Sequence, residues 1–581
     1  MTWSFRRPTS TRIPACEFFW TLWSPAGSSG KSKPWGDTTR EKAGKLFVNN
    51  SVSRAGPGRG WFFNGCQVLL VYRQLYLPHF ITMRSFLMER MSLRPWAVGK
   101  GGCLALVILG GLALIGWSGA AHASPVVSMR AGTGPAERVS RTPLPEPADA
   151  VLVVAREWKW NRYLRDALRL PAWLDLGLEH RTRFETYDHP WRASQPSGRT
   201  DSQIQQRNRV RLGLNGKHVK FLFEGQDSRV YLDGAESYVT TAIRDEMDVL
   251  QLMASITVHN VLETGLRTDL HVGRLTMDVG RGRLIIRNDY RNTSNAFDGV
   301  HWQLGRDKHW RVRLFLVEPV LRDQVRPDEQ SKRSVFWGGY VETAHIPRVR
   351  LNAYYFGLND QRNPDVGRHR TYSTFGTRLY DDPKPGRIDY EIESVLQTGK
   401  RGHVDHFAHF QHIDIGYTLA LPWSPRVLLH YDYASGDRNA NDSQHSAFDT
   451  LFGARRFDYM PTGNFGPFFR SNFSSPGWRV IVVPCRGCEV QLKHRVWYLA
   501  TSRGAFGRNG LHDPTGGSGN FLGHDLELRA QWKTTDNLEF ELGYTHWFKG
   551  SYLDRLPDSA GLPPGGNRDS DYFYIQTKFR L

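Results

Sequence analysis

The chain has 581 residues, with 76 Lys and Arg against 57 Asp and Glu, a formal charge of +19. Residues 1–123 hold 15 of the basic and 4 of the acidic residues, which leaves 61 against 53 beyond them and removes the case for a nucleic-acid binder. The low mean hydropathy does not exclude a membrane protein, because half of every barrel strand is polar.

Residues 1–82 show no sustained period of either kind and read as a non-native or disordered leader. Residues 83–123 carry Arg84, Arg90, Arg94 and Lys100, then an apolar run from Cys103 to Trp117, then Ala121-His122-Ala123. These are the three regions of a secretory signal peptide. The apolar run is short of the roughly 20 residues that a membrane-spanning helix needs. Residues 124–172 read as a linker rich in Pro, Arg and Ala, with a short amphipathic helix expected over Trp158 to Leu170.

From residue 173 onward the chain alternates apolar and polar residues in short runs. In the run Trp310 to Val317, Val312, Leu314 and Leu316 share one face while Arg311 and Arg313 share the other. Strands are expected near 174–187, 204–214, 219–226, 248–258, 266–277, 297–304, 310–320, 335–345, 349–357, 371–380, 388–398, 409–421, 426–435, 476–484, 489–500, 523–532, 538–548 and 570–581. Connections alternate in length, from tight turns such as Asn215-Gly216-Lys217 to long segments such as 278–296 and 436–475. This predicts an all-β fold: an antiparallel transmembrane β-barrel of about 18 strands, with short periplasmic turns and long outer loops, in a bacterial outer membrane. A soluble sandwich or propeller is the competing fold, but no fixed repeat of propeller length is present. Trp302, Trp310, Trp337 and Trp532 at strand ends suit the interfacial girdles that contact outer-membrane lipid.

If the apolar faces meet lipid, the other faces project inward. They carry Arg181, Arg183, Arg207, Arg209, Arg211, Arg311, Arg313, Arg350, Arg378, Lys493 and Arg495, joined by Glu179, Asp389, Glu391, Glu393, Glu527, Glu539 and Glu541. Of the 61 basic residues beyond the signal peptide, 50 are Arg, the residue suited to bidentate contact with carboxylate or phosphate. A cation-lined constriction selects anions, so the pattern predicts an anion path. The competing reading is an interior in which Arg and Glu pair with one another inside a plugged barrel. Adjacent acids are too few around Gln206 to Arg211 to neutralise that stretch locally.

Cys485 and Cys488 flank a tight turn, and in an exported protein they are expected to form a small-loop disulfide. No second Cys pair points to zinc, and no thioredoxin-like context supports redox chemistry. His403, His406, His409 and His412 form the visible His cluster, but their spacing of three sends alternate members to opposite faces of a strand. No catalytic set, metal site or cofactor is therefore expected, and an outer-membrane enzyme is the weakest alternative.

Two stretches resemble the alginate-export family of outer-membrane barrels. One is His271-Val272-Gly273-Arg274, then Gly280-Arg281-Gly282-Arg283, then Phe297-Asp298-Gly299-Val300. The other is Ser435-Gly436-Asp437 followed by Phe448-Asp449-Thr450-Leu451-Phe452. Leu275 and Thr276 stand where the family commonly has Gln and Tyr. The resemblance implies a monomeric 18-stranded barrel with an electropositive lumen that passes a secreted uronic-acid polymer. It places Arg274, Arg283 and Asp298 near the constriction, with segment 436–475 folding inward as a gate. Periplasmic export components are the partners it suggests. Uptake of small organic anions through the same Arg ladder is the alternative. The final strand, Asp571 to Leu581, resembles the C-terminal strand that outer-membrane assembly machinery reads, with Leu581 in place of the usual aromatic.

Overall fold

A computed structural model describes residues 161–189, 191–192, 200–234, 237–306, 309–361, 369–459 and 465–581. The readings of residues 1–155, including the leader, the signal peptide and the linker, lie outside the described residues. Gly134–Leu581 is one compact unit. It opens with helix α1 (Asn161–Leu168), within the span expected for it.

The rest is a closed antiparallel barrel of 18 strands. In chain order these are β1 (Leu174–Tyr187), β2 (Asp201–Asn215), β3 (Val219–Tyr231), β4 (Asp245–Val261), β5 (Leu266–Leu275), β6 (Phe297–Arg306), β7 (Trp310–Leu321), β8 (Ser334–Ile346) and β9 (Val349–Asp360). The second half comprises β10 (Arg370–Tyr380), β11 (Arg387–Arg401), β12 (Val404–Thr418), β13 (Arg426–Ala434), β14 (Phe473–Val482), β15 (Cys488–Tyr498), β16 (Phe521–Lys533), β17 (Leu538–Lys549) and β18 (Ser570–Arg580). Each strand pairs with its neighbour, and β18 closes on β1 from Glu179 opposite Arg580 to Tyr187 opposite Tyr572. Closure leaves no sheet edge, the condition for a sheet to cross a bilayer. Two-residue ladders at Glu329–Gln330 and Gln444–His445 decorate the outer loops.

The period-2 pattern sets which face each residue takes. Along β1, Glu179, Arg181, Arg183, Glu185 and Tyr187 are all buried. Outward residues such as Phe221, Leu252, Leu316 and Leu429 are exposed, as a lipid-facing surface requires. The inner face changes character along the barrel axis. On β7, Arg311 and Arg313 give way to Phe315 and Val317 toward the outer end, and on β15, Lys493 and Arg495 give way to Trp497. The outer half of the interior is therefore an aromatic core, with Phe468 stacked on Trp497 at 3.8 Å and Phe336 packed against Phe452 at 4.9 Å.

The alternation of connection length has one exception. β11 and β12 run without interruption to Arg401 opposite Val404, so their outer connection is only Gly402 and His403. Gly402 has φ 63°, the left-handed conformation that a turn this tight needs. The space left at the rim is filled from β13: Gln444 and His445 of its long loop pair in parallel with Asp405 and His406.

Candidate functional site: the arginine ladder and the two inward loops

The connection 276–296 and the described parts of the connection 435–472 fold into the barrel and meet there. Ile285 and Phe452 form a parallel bridge, Phe452 N–H donates to Leu284 O at 2.9 Å, and Ala454 N–H donates to Gly282 O at 3.0 Å. Only about 10 Å³ remains free between the first loop (Val279, Gly280, Arg283, Leu284) and the wall residues Tyr340, Tyr354, Phe356 and Glu393.

The arginines of β1 and β2 hold the first loop mainly through its backbone. Arg181 donates to the carbonyl oxygens of Asp289 and Tyr290 at 2.9 Å and of Arg291 at 3.0 Å, and to Asn292 Oδ1 at 2.8 Å. Arg207 donates to Asp289 O and Arg291 O at 2.9 and 3.0 Å, and to Glu179 at 2.7 Å. Arg183 donates to Tyr290 O at 2.7 Å and lies over the Tyr290 ring at 4.0 Å. Arg209 reaches the Asp289 carboxylate at 2.6 Å. Arg211 stands opposite Glu224, and Glu224 is bound by Arg287 of the loop at 2.6 Å. Burial opposes ionisation of Asp289, but Arg209, Arg207 and Arg287 hold its carboxyl well below the usual carboxylate range.

On the opposite wall Arg283 carries the centre of a charge network. It donates to Asp458 of the second loop at 3.0 Å and to Glu393 of β11 at 2.6 Å, and it also binds Glu391. Burial would discharge the guanidinium, yet Asp458, Glu391 and Glu393 raise its pKa well above the ordinary value. Arg378 joins through Glu391 at 3.0 Å, Lys493 binds Glu527 at 2.7 Å, and Arg495 binds Asp432 at 2.6 Å. Arg313 donates to Asp278 O of the first loop at 3.0 Å, while Arg311 pairs with Glu342 and Arg350 with Asp382.

Arg274 and Asp298 are placed differently from the expectation. They bind each other at 2.8 and 3.1 Å, but Arg274 stands opposite Leu252, which is 59% exposed on the outer face. The inward residues of β5 are Asp269 and His271, and Arg274 lies an odd number of residues further on, so strand parity turns it away from the lumen. The pair secures strand ends at the outer rim and does not line a constriction.

Three arginines from loops were not singled out by sequence, because loops carry no period. Arg291 and Arg322 both donate to Asn295 Oδ1, and Arg455 donates to Gly466 O and Phe468 O. Among the described residues none of the three touches a carboxylate. Burial and then Arg322 and Arg455 push the Arg291 pKa well down; burial and then Arg192 lower that of Arg455 to about 9.

Of the His cluster, His406 and His412 point inward and are buried. His412 Nδ1 is 2.7 Å from Asp432, and Asp432 and Asp458 form a potential three-ligand group with it. Arg495 and Arg283 already bind these two carboxylates, so arginines take the place of a cation. Cys485 and Cys488 are joined as a disulfide across the periplasmic turn, with Cα atoms 5.1 Å apart.

Comparison with curated proteins gives no match. Solved structures similar to this chain include OccK3 (OpdO) of Pseudomonas aeruginosa, at 14% identity over 72% of this chain and 99% of that one, with a TM-score of 0.46. OpdK of the same organism, solved with vanillate, has 12% identity over 70% and 98%, with a TM-score of 0.48. OccAB1 of Acinetobacter baumannii has 11% identity over 70% and 96%, with a TM-score of 0.47. The family model described as alginate export matches residues 172–561, the barrel almost to its last strand and both inward loops. With that match over most of a closed 18-stranded barrel, the chain belongs to the alginate export family of bacterial outer-membrane proteins.

Proposed function

We propose that this barrel is a passive pore for export of an anionic polysaccharide of the uronic-acid type, closed when its two inward loops are seated. The observation that carries the reading is the nature of the partners of Arg181, Arg183 and Arg207. Each donates to backbone carbonyl oxygens of residues 289–291, Arg181 to three of them, Arg207 to two beside its bond to Glu179, and Arg183 to one beside its bonds to the Gln576 amide oxygen. A carboxylate offers a guanidinium an opposite charge and a bidentate grip that a backbone carbonyl cannot. A carboxylate arriving as the loop withdraws is therefore a better partner than the backbone it replaces. Several such sites in a row let a polymer move from one to the next, where one tight site would trap it. Arg291, Arg322 and Arg455, which touch no carboxylate among the described residues, extend the basic path into the loops. The chemistry uses no catalytic group, metal or cofactor, and periplasmic export components would deliver the polymer.

Uptake of small organic anions would use the same arginines. Single-channel recording on the protein in a planar bilayer, with a salt gradient and added polyuronate, separates the two. The expected result is anion selectivity with block that deepens as polymer is added. Anion-selective current that polyuronate leaves unchanged would replace export of a polymer with passage of small anions.

A further inference from the structure

The outer end of β4 carries a group of acids that the pore does not use. Asp245 and Asp248 lie three residues apart, so in a regular strand they would point to opposite faces. The β3–β4 register shifts twice here, between Glu224 and Gly225 and between Gln226 and Ser228. As a result Asp248 stands opposite Gln226 and Asp245 opposite Ser228, two residues of one face. A bulge re-aims side chains in this way, at the cost of ladder hydrogen bonds. The connection between β7 and β8 then brings a third acid: Asp328 N–H donates to Asp248 Oδ2 at 2.6 Å, and Glu246 N–H donates to Gln324 O at 3.2 Å. One carboxylate oxygen from each of Asp245, Asp248 and Asp328 lies within 4.8 Å of the others.

Three carboxylates this close repel one another, and the repulsion is relieved either by protonation or by a cation standing among them. Two arginines stand beside the group. Arg274 is 3.8 Å from Asp248 and donates to Asp328 O at 3.4 Å while binding Asp298 at 2.8 Å, and Arg322, which donates to Ser294 O and Asn295 Oδ1, acts on Asp245 and Asp328 from a greater distance. Asp245 is 2% exposed; its Oδ2 accepts a 3.4 Å bond from Gln226, and its Oδ1 is buried with no hydrogen-bond partner. A buried carboxyl oxygen left without a partner is costly, and a metal ion is one way to satisfy it.

We infer that Asp245, Asp248 and Asp328 form a calcium site that pins the β7–β8 outer loop to the end of β4. The donors are all oxygens and no nitrogen or sulfur is among them, which suits a hard cation rather than a transition metal. Their arrangement comes from a bulge and a loop, an irregular geometry that Ca²⁺ accepts more readily than Mg²⁺ does.

The test is calorimetric titration with CaCl₂ of the full chain, purified from outer membranes in detergent and stripped with EDTA. Wild type is compared with Asp245→Asn and Asp328→Asn. Asp328 lies in a loop, so its variant leaves every strand intact, and the heat-dependent mobility of the barrel on gels checks folding. The expected result is one saturable site in wild type, weakened at least about tenfold in either folded variant. Trypsin cleavage after Arg326, an exposed residue of the pinned loop, should also slow when Ca²⁺ is added to wild type and not when it is added to Asp328→Asn. No saturable binding in wild type, or the same isotherm in Asp328→Asn, would overturn the site.

Discussion

Arginine in this barrel has three kinds of partner, and the kind decides what each residue does. Arg283 faces three carboxylates and is a fixed charge, since removing it would leave buried acids unpaired. Arg181 faces carbonyls and can exchange them. Arg401 faces a histidine: its Nη1 lies 2.6 Å from His445 Nε2 on the second loop, and His445 Nδ1 lies 3.0 Å from His406. A guanidinium can donate only to an unprotonated nitrogen, so the docked His445 is neutral. Burial first, then Arg401 and His406, lower its pKa from 6.5 to about 3. Between those values the released loop binds a proton that the docked loop does not, so docking is favoured above about pH 6.5 and weakens as pH falls toward 3. Channel open probability is expected to rise between pH 7.5 and pH 5. His445→Gln should flatten that rise, and an unchanged pH response in the variant would remove His445 from the docking equilibrium.

At the scale of elements, the two inward loops behave as one body because their backbones touch. A Cβ placed on Gly453 would stand 1.7 Å from Arg283 O, so no larger residue fits where the loops cross. Gly453→Val should force them apart at a cost of roughly 1–3 kcal/mol, typical of overpacking. The expected outcome is a barrel of unchanged heat stability whose channel spends more time open. A closed channel with wild-type gating would mean that the loops move separately. The tight β11–β12 turn belongs to the same device, since it leaves the rim space in which Gln444 and His445 dock.

For the whole molecule, an even strand count places both ends of the barrel on one side of the membrane, together with every short turn except that between β11 and β12. The Cys485–Cys488 turn, between β14 and β15, is among them. In intact cells a membrane-impermeant maleimide, added with a membrane-impermeant reductant, should not label these cysteines. After the outer membrane is permeabilised, labelling should appear only once a reductant is added. Labelling from outside without permeabilisation would invert the topology. The apolar outer face and the charged and aromatic interior then follow from one alternating pattern read from both sides of the same wall.

That pattern is local, and for this reason the barrel was legible in the residues alone. All 18 strands stand where alternation over four to eight residues puts them, with shifts at the ends, and the inward parity of Arg181, Arg207, Arg313, Arg378 and Arg495 follows from counting by twos. Where alternation is faint the reading lost ground. The stretch Gly399 to His406 holds a single apolar side chain, Val404, so the sequence suggests a loop between 398 and 409 where β11 and β12 run on to a two-residue turn. Motif resemblance alone points Arg274 toward the lumen, and strand parity turns it away. The clamp on residues 289–291 had no sequence signal, because the partners of Arg181 and Arg207 are backbone carbonyls, which every residue possesses, contributed from 82 to 110 positions away. Periodicity determined the wall, the membrane and which residues face the interior. Only the tertiary structure decided what fills that interior, since loop docking depends on distant contacts that leave no period in the chain.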